Sequence, residues 1–294
     1  MGLRRSNVTR DISYAYSAES RGGRAMIRLM ENSTGRLRLI KRARGYEHEV
    51  ARGRDFFDVM VDRYGLSLDV VKGSFEYIPR TGPLIFVANH PYGILDGLMM
   101  GHILSRTRGD FRILANSVFR KAEEVNRVIL PISFDETREA MALNIETRKR
   151  SLDYLAQGGA IGIFPGGTVS TARKPFSARP MDPGWRSFTA RMIAKSGASV
   201  VPMFFDGHTS RLFQLASHLH VNLRMGLLIK EFGKRVDTPV QVAIGKPIPA
   251  TSLKPFASDS KGMMDFLRKA TYELSPHPDQ PFDLGYEFEM RHRH

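Results

Sequence analysis

From Gly65 onward the chain alternates short apolar runs with amphipathic stretches, and that rhythm leaves few folds open. Residues 84–88 (LIFVA), 111–114, 128–133, 160–164, 199–205 and 240–245 read as strands, with extended pieces at 67–71 and 75–78. Between them 95–106, 118–126, 137–156, 185–195, 210–220 and 260–274 read as helices. The long helix at 137–156 stops at Gly158-Gly159. Strand–helix units repeated in this way predict an α/β fold with a mostly parallel sheet flanked by helices. No internal repeat or low-complexity run interrupts the pattern.

The upstream part is different in kind. Residues 1–24 read as a loose polar arm, and 25–40 as partly helical with a break at Gly35. Residues 48–64 form a clearer amphipathic helix, with Val50, Phe56, Phe57, Met60, Val61 and Tyr64 near helical spacing and Gly65 as the cap. The expected division is a basic arm with a helical pair at 1–65, an α/β domain at 66–275, and a flexible Pro- and His-rich tail at 276–294. A chain of 294 residues buries an adequate core without staples. It has no cysteine, which excludes a disulfide scaffold, a thiol nucleophile and a cysteine-held metal.

Charge is the other constraint. Lys and Arg number 44 against 30 Asp and Glu, a formal charge of +14. Residues 1–54 hold thirteen of the basic residues against five acidic ones. Such an excess is a solvated basic face, or it attracts nucleic acid or anionic lipid. No helix-turn-helix, zinc or RNP-type pattern accompanies it, so no specific nucleic acid is expected. An anionic membrane surface is the preferred partner. Residues 1–10 carry no secretory signal. The most apolar stretch, 84–104, is broken by Asn89, His90, Pro91 and Asp96, so any membrane contact is expected at the surface. On this reading, removing 1–54 abolishes vesicle binding and spares the chemistry.

In open α/β sheets reactive groups gather where strands end. After LIFVA comes Asn89-His90-Pro91-Tyr92-Gly93-Ile94-Leu95-Asp96. A carboxylate on one imidazole nitrogen fixes the tautomer and stabilises the imidazolium, while the other nitrogen takes a proton. With no enzyme nucleophile in the set, the hydroxyl to be activated belongs to the substrate. The same residues also fit a structural histidine with Asp96 as a helix cap. The strand at 160–164 runs into Phe164-Pro165-Gly166-Gly167-Thr168-Val169-Ser170, a turn whose backbone N–H groups can cradle an anion or a developing oxyanion. It lacks the lysine and glycine spacing of a Walker loop. Asn116 and Asp206-Gly207-His208 close two further strands, His208 reading best as a surface loop histidine.

Taken in order, Asn89-His90 with Asp96, the FPGGTVS segment and Val200-Val201-Pro202 resemble the lysophospholipid acyltransferase superfamily, typified by 1-acylglycerol-3-phosphate acyltransferases. The likeness spans about 82–245. It implies that His90 is the general base on an acceptor hydroxyl and Asp96 its orienter. It places Phe164, Pro165, Gly166, Gly167 and Thr168 against the acceptor headgroup, with Asn89, Gly93, Asn116 and Arg120 as further substrate-binding candidates. It implies an acyl thioester donor on acyl carrier protein or coenzyme A as co-substrate, no other cofactor and no metal. A lysolipid is the implied acceptor. The implied location is the cytoplasmic face of a bacterial membrane, with the 48–64 helix and its basic neighbours resembling the family's membrane-contact element.

Three departures follow from the resemblance. Five residues separate His90 from Asp96 where the family pattern has four, and Gly93 is expected to absorb the extra one. Gly166 and Val169 stand where the family pattern FPEGTRS has Glu and Arg. The arginine that closes the family's second motif is not evident near 133–136. Fewer arginine clamps weaken binding of a bare phosphomonoester, although Arg120, Lys121, Arg138, Arg173 and Lys174 are close enough in sequence to replace the charge. NHPYGILDG, with Asp182-Pro183-Gly184-Trp185 and Gly207-His208-Thr209-Ser210, is similar to bacterial acyltransferases once labelled hemolysins and associated with ornithine-lipid synthesis. The acceptor is then a lyso-ornithine-type aminolipid or lysophosphatidic acid. Two other readings stay open at this level: a non-catalytic peripheral protein that binds anionic membrane or nucleic acid, and a hydrolase using Ser170 with His90, which lacks the G-x-S-x-G elbow.

Overall fold

The computed structural model describes residues 12–18, 20–116, 123–133, 137–176, 179–277 and 282–287. Among them four short helices come first: α1 (Arg21–Ser33), α2 (Arg36–Ala43), α3 (Tyr46–Ala51) and α4 (Phe56–Arg63). The α/β part follows as β1 (Ser67–Lys72), β2 (Leu84–Ala88), α5 (Ile94–Arg108), β3 (Arg112–Asn116), α6 (Glu123–Val128), β4 (Ile129–Ile132), α7 (Arg138–Ala156) and β5 (Ala160–Ile163). It continues with α8 (Ser187–Ser196), β6 (Ser199–Phe205), α9 (Arg211–Leu219), α10 (Val221–Arg235), β7 (Pro239–Ile244), α11 (Ala250–Leu253) and α12 (Ser260–Tyr272).

The strands make one sheet in the order β1-β7-β6-β2-β5-β3-β4. Each neighbouring pair is parallel except β6 with β7. Two helices rather than one separate β6 from β7, which brings β7 back antiparallel. β2 lies between β5 and β6, and all five of its residues are buried. Their alternation sorts them between two cores. Phe86 and Ala88 join Leu95, Met99 and Ile103 of α5, Met203 and Phe205 of β6, and Leu228 and Phe232 of α10. Ile85 and Val87 join Ile161 and Ile163 of β5, Ala190 and Ile193 of α8, and Met264 and Leu267 of α12. A strand buried on both faces can carry only apolar residues until it leaves the sheet, so the first polar residues after β2 mark the sheet's carboxyl edge. Truncating one of these buried side chains to alanine costs roughly 2–5 kcal/mol.

Four features differ from the sequence expectation. The helical pair resolves into shorter pieces, because the stretch read as one helix over 48–64 breaks at Gly53, whose φ is 91°. Asp55 then caps α4 by accepting the Phe57 and Asp58 N–H groups. The piece at 75–78, read as extended, contains a 3-10 turn at Phe75–Tyr77 capped by Ser74. Helix α10 was not anticipated. The N-terminal helices share a core with the sheet, since Ile27, Leu39, Ala43 and Tyr46 belong to the same buried cluster as Phe86 and Phe205.

Residues 282–287 fall in the stretch read as a flexible tail. Here Gly285 N–H donates to Asp182 O at 2.8 Å and Tyr286 N–H to Thr171 O at 3.0 Å. Part of the helix read at 118–126 and the candidate Arg120 lie outside the described residues, as does Lys121.

Candidate active site

β2 ends at Asn89. Its side chain closes the ladder to β6 as a strand residue would: Nδ2 donates to Phe205 O at 2.9 Å and Oδ1 accepts Phe205 N–H at 2.7 Å. Asn89 therefore supports the turn rather than reaching a ligand. The next residue, His90, leaves the sheet, and its ring stacks on Phe164 from the end of β5, with centroids 4.2 Å apart and planes 22° apart.

His90 Nδ1 lies 2.9 Å from Asp96 Oδ2. The same oxygen accepts the Tyr92 N–H at 2.7 Å and the Gly93 N–H at 3.0 Å. Gly93 adopts φ 78° and ψ −119°, a region closed to side chains of ordinary size. This is where the five-residue spacer is taken up, so Asp96 reaches back from the first turn of α5. Asp96 is fully buried and His90 keeps 18% of its side chain exposed. Burial pushes the Asp96 carboxyl above its ordinary pKa, and the bond to His90 and the two amides pull it back. Its other oxygen, Oδ1, has no hydrogen-bond partner among the described residues. With Nδ1 on Asp96, Nε2 is the nitrogen left for a substrate proton.

A second carboxylate sews the two strand-end loops together. Asp182 is fully buried. Its Oδ1 accepts the His90 N–H at 3.1 Å and the Ser170 hydroxyl at 2.5 Å, and its Oδ2 accepts the Trp185 indole N–H at 2.9 Å. Ser170 N–H in turn donates to His90 O at 2.8 Å. The Ser170 hydroxyl is thus committed to a carboxylate rather than to an imidazole nitrogen, and Ser170 is 2% exposed, a poor position for a nucleophile. A Cβ on Gly166 would sit 3.2 Å from the Asp182 carboxyl group. An acidic side chain at that position would meet like charge, which accounts for glycine there.

The FPGGTVS loop is also braced from behind. Gly167 N–H closes a turn on Phe164 O at 3.0 Å. Arg224 of α10, 1% exposed, donates through Nη2 to Thr168 Oγ1 at 3.0 Å and Val169 O at 2.7 Å. Its Nη1 donates to Thr171 Oγ1 at 2.7 Å and Ser217 Oγ at 2.8 Å. The guanidinium faces inward and holds the loop, and it does not replace a phosphate clamp.

His90, Asp96, Asn89, Gly93 and the 164–168 turn therefore converge. Asn116 ends β3, which β5 separates from β2. His208 is exposed, with its Nδ1 on Thr209 O at 2.9 Å. Two cavities among the described residues lie at these strand ends, neither lined by His90 itself. One of about 250 Å³ is lined by Asn89, Pro91, Ser170, Phe204 and Tyr272, and one of about 380 Å³ by Ser133, Asn144, Phe164, Pro165 and Arg186. Asp182 and Arg224 were missed as site residues. Asp182 stands in the sequence inside the DPGW run, a polar residue between loop signals. Arg224 carries no comparable signal, because its helix was not expected.

Residues 46–280 match the model of a family described as acyltransferase. Two lyso-glycine lipid O-acyltransferases, from Phocaeicola vulgatus and Bacteroides thetaiotaomicron, are each 26% identical over 211 residues. The matches cover 67% of this chain and 70% and 71% of the respective relatives. Among solved structures, the 1-acyl-sn-glycerophosphate (LPA) acyltransferase PlsC from Thermotoga maritima aligns with a TM-score of 0.46 at 17% identity. That alignment covers 92% of this chain and 87% of the other.

Proposed function

The chain belongs to the acyltransferase family, and from that premise we propose that it is a lysolipid O-acyltransferase whose acceptor is an N-acylated amino-acid lipid bearing a free hydroxyl. The observation that carries the chemistry is the His90–Asp96 pair, with a buried carboxylate on Nδ1 and the second nitrogen left for substrate. In the proposed reaction His90 Nε2 takes the acceptor's hydroxyl proton as that oxygen attacks the thioester carbonyl. The C–S bond then breaks, an ester forms, and the imidazolium returns the proton to the departing thiolate. Asp96 holds the tautomer and stabilises the imidazolium. In this reading the oxyanion is stabilised by backbone amides of the 166–168 turn other than that of Gly167, whose N–H is used inside the turn. The donor is an acyl thioester of acyl carrier protein or coenzyme A.

Two features favour an acceptor without a phosphate. Arg224 is spent on the loop, and Val169 occupies a position where an arginine phosphate clamp is expected from the resemblance. The relatives' lyso-glycine lipid and the lyso-ornithine lipid expected from the sequence both present an amino-acid headgroup instead. Delivery at an anionic membrane surface fits α1 and α2, where exposed Met26, Leu29 and Leu37 stand among Arg24, Arg28, Arg38 and Lys41. No helix among the described residues is long and apolar enough to cross a membrane.

The test offers purified protein both thioesters, each with lyso-glycine lipid, lyso-ornithine lipid and lysophosphatidic acid. Product on either aminolipid that disappears in His90→Ala is the expected result. Product confined to lysophosphatidic acid would overturn the acceptor assignment. Full turnover by His90→Ala would overturn the mechanism.

A further inference from the structure

The segment ahead of α1 reads in the sequence as a polar arm, yet it reaches the wall of the site. Tyr14, Ala15 and Ala18 are buried. Their anchor is Glu31 of α1, itself fully buried. Glu31 Oε1 accepts the Tyr14 N–H and Oε2 accepts the Ser13 hydroxyl, each at 2.5 Å. Ser13 Oγ accepts the Ala15 N–H at 3.0 Å, and Arg36 Nε donates to Ile12 O at 2.7 Å. A carboxylate is costly to bury unless hydrogen bonds repay it, and here those bonds hold one short stretch of backbone. Helix α1 is fixed in turn on α10, where a Cβ on Gly226 would lie 2.9 Å from Met30 Sδ.

From this anchored backbone the Tyr14 side chain extends to the start of α5. Its Oη accepts the Ile94 N–H at 3.3 Å. A Cβ on Gly93 would lie 3.1 Å from the same oxygen, 3.3 Å from Val169 Cγ2 and 3.4 Å from Leu228 Cδ2. The phenol, the FPGGTVS loop and α10 thus close around the glycine that absorbs the His–Asp spacer. Ile94 is the first residue of α5, its N–H is one of the orphan donors at a helix start, and Asp96 follows two residues on. Burial keeps the phenol protonated, and the nearby Asp96 charge acts in the same direction.

We propose that Tyr14 is a positioning residue: by accepting the Ile94 N–H it fixes the first turn of α5, and with it the angle at which Asp96 meets His90. This rests on the reading of His90 as the base. It also replaces the expectation that residues 1–54 can be removed without touching the chemistry.

The test compares full-length wild type, Tyr14→Phe and Glu31→Gln, the latter loosening the arm at its anchor. One readout needs no turnover: the downfield Nδ1–H proton resonance of His90, assigned by its loss in His90→Ala. In Tyr14→Phe this resonance is expected to move upfield and broaden while the unfolding midpoint stays within a few degrees of wild type. The second readout is steady-state acyl transfer with the donor and acceptor pair that turns over. Losing one hydrogen bond predicts a kcat lower by about two- to tenfold with KM unchanged. Glu31→Gln should shift both readouts in the same direction, and Tyr14→Phe should cost nothing more in a His90→Ala background. A wild-type resonance and kcat in Tyr14→Phe would overturn the proposal, and so would an equal kcat loss in the His90→Ala background. If His90→Ala itself keeps full turnover, the base assignment fails, and the resonance still reports whether Tyr14 orders the pair.

Discussion

Helix α5 supplies Asp96 to one histidine–aspartate pair and His102 to another, and the two pairs are built in opposite senses. In His90–Asp96 the carboxylate is fully buried and the imidazole side chain is 18% exposed. In His102–Asp58 the imidazole is 7% exposed and the carboxylate 29%. His102 Nδ1 lies 2.7 Å from Asp58 Oδ1 of α4 but is poorly aligned for a hydrogen bond. Burial pushes the His102 pKa down, Arg106 adds to this, and Asp58 opposes it. His102 is thus held toward its neutral form, against Asp58 of α4. A buried carboxylate under an outward base can stabilise a passing positive charge, whereas a buried base under a solvated carboxylate mainly fills space. Proximity of the two residue types is common to both pairs; the direction of burial, and a hydrogen bond that His90–Asp96 makes and His102–Asp58 does not, separate them.

Deleting the base should break the comparison most sharply. His90→Ala is expected to lower kcat/KM by about 10²–10⁴-fold, the usual worth of a positioned general base. His102→Asn should leave kcat/KM within about twofold and act on stability instead. Asp96→Asn should cost at least about 10²-fold, because an amide can hold the ring in the wrong tautomer. Acyl-transfer kinetics on folded variants decide the matter. The reverse order of effects, with His102→Asn the more damaging, would invert the assignment of the two pairs.

Next in size is the second carboxylate. Asp182 bonds the part-buried His90 amide and the buried Ser170 hydroxyl and Trp185 indole. Asp182→Ala leaves these donors unpaired and is expected to cost roughly 1–3 kcal/mol of stability for each buried donor, measured by denaturant unfolding. Ser170→Ala removes a single donor and should cost about 1 kcal/mol with activity retained. A Ser170→Ala protein without activity would restore the hydrolase-type reading in which Ser170 attacks.

How much of this the sequence shows depends on how local each feature is. β2 and the His90–Asp96 turn are contiguous, and the apolar run of β2 gives way at once to Asn89-His90, so both could be read directly. The supports come from far along the chain. Asp182 is 92 residues from His90, and Arg224 is 56 from Thr168. Tyr14 is 80 from Ile94. No periodicity relates such positions, because the sheet order brings them together. Helix α10 is interrupted by Gly226 and Gly233, which lowers its apparent helical propensity, although Gly226 serves close packing against Met30. The arm at 12–18 (ISYAYSA) adjoins the basic stretch 1–11 and is too short to show a period, and its anchoring hydrogen bonds are made mainly by backbone groups and one phenol.

The smallest expected effect concerns pH, and it separates the pairs by sign. A histidine with a depressed folded pKa contributes stability that is fully present above pH 6.5, its ordinary value. That stability is lost as pH falls through the folded pKa, because the unfolded chain takes up the proton first. Asp96 and Glu31 behave oppositely. Their folded pKa values are raised above 3.8 and 4.5, so their contribution is present at lower pH and declines as pH rises through the folded values. Going from pH 7 toward pH 5, wild type should lose stability and His102→Asn should lose less of it, a difference of a few degrees in unfolding midpoint. An identical acid slope in the two proteins would mean that His102 is not held neutral in the fold. The contrast with His90 would then rest on exposure alone.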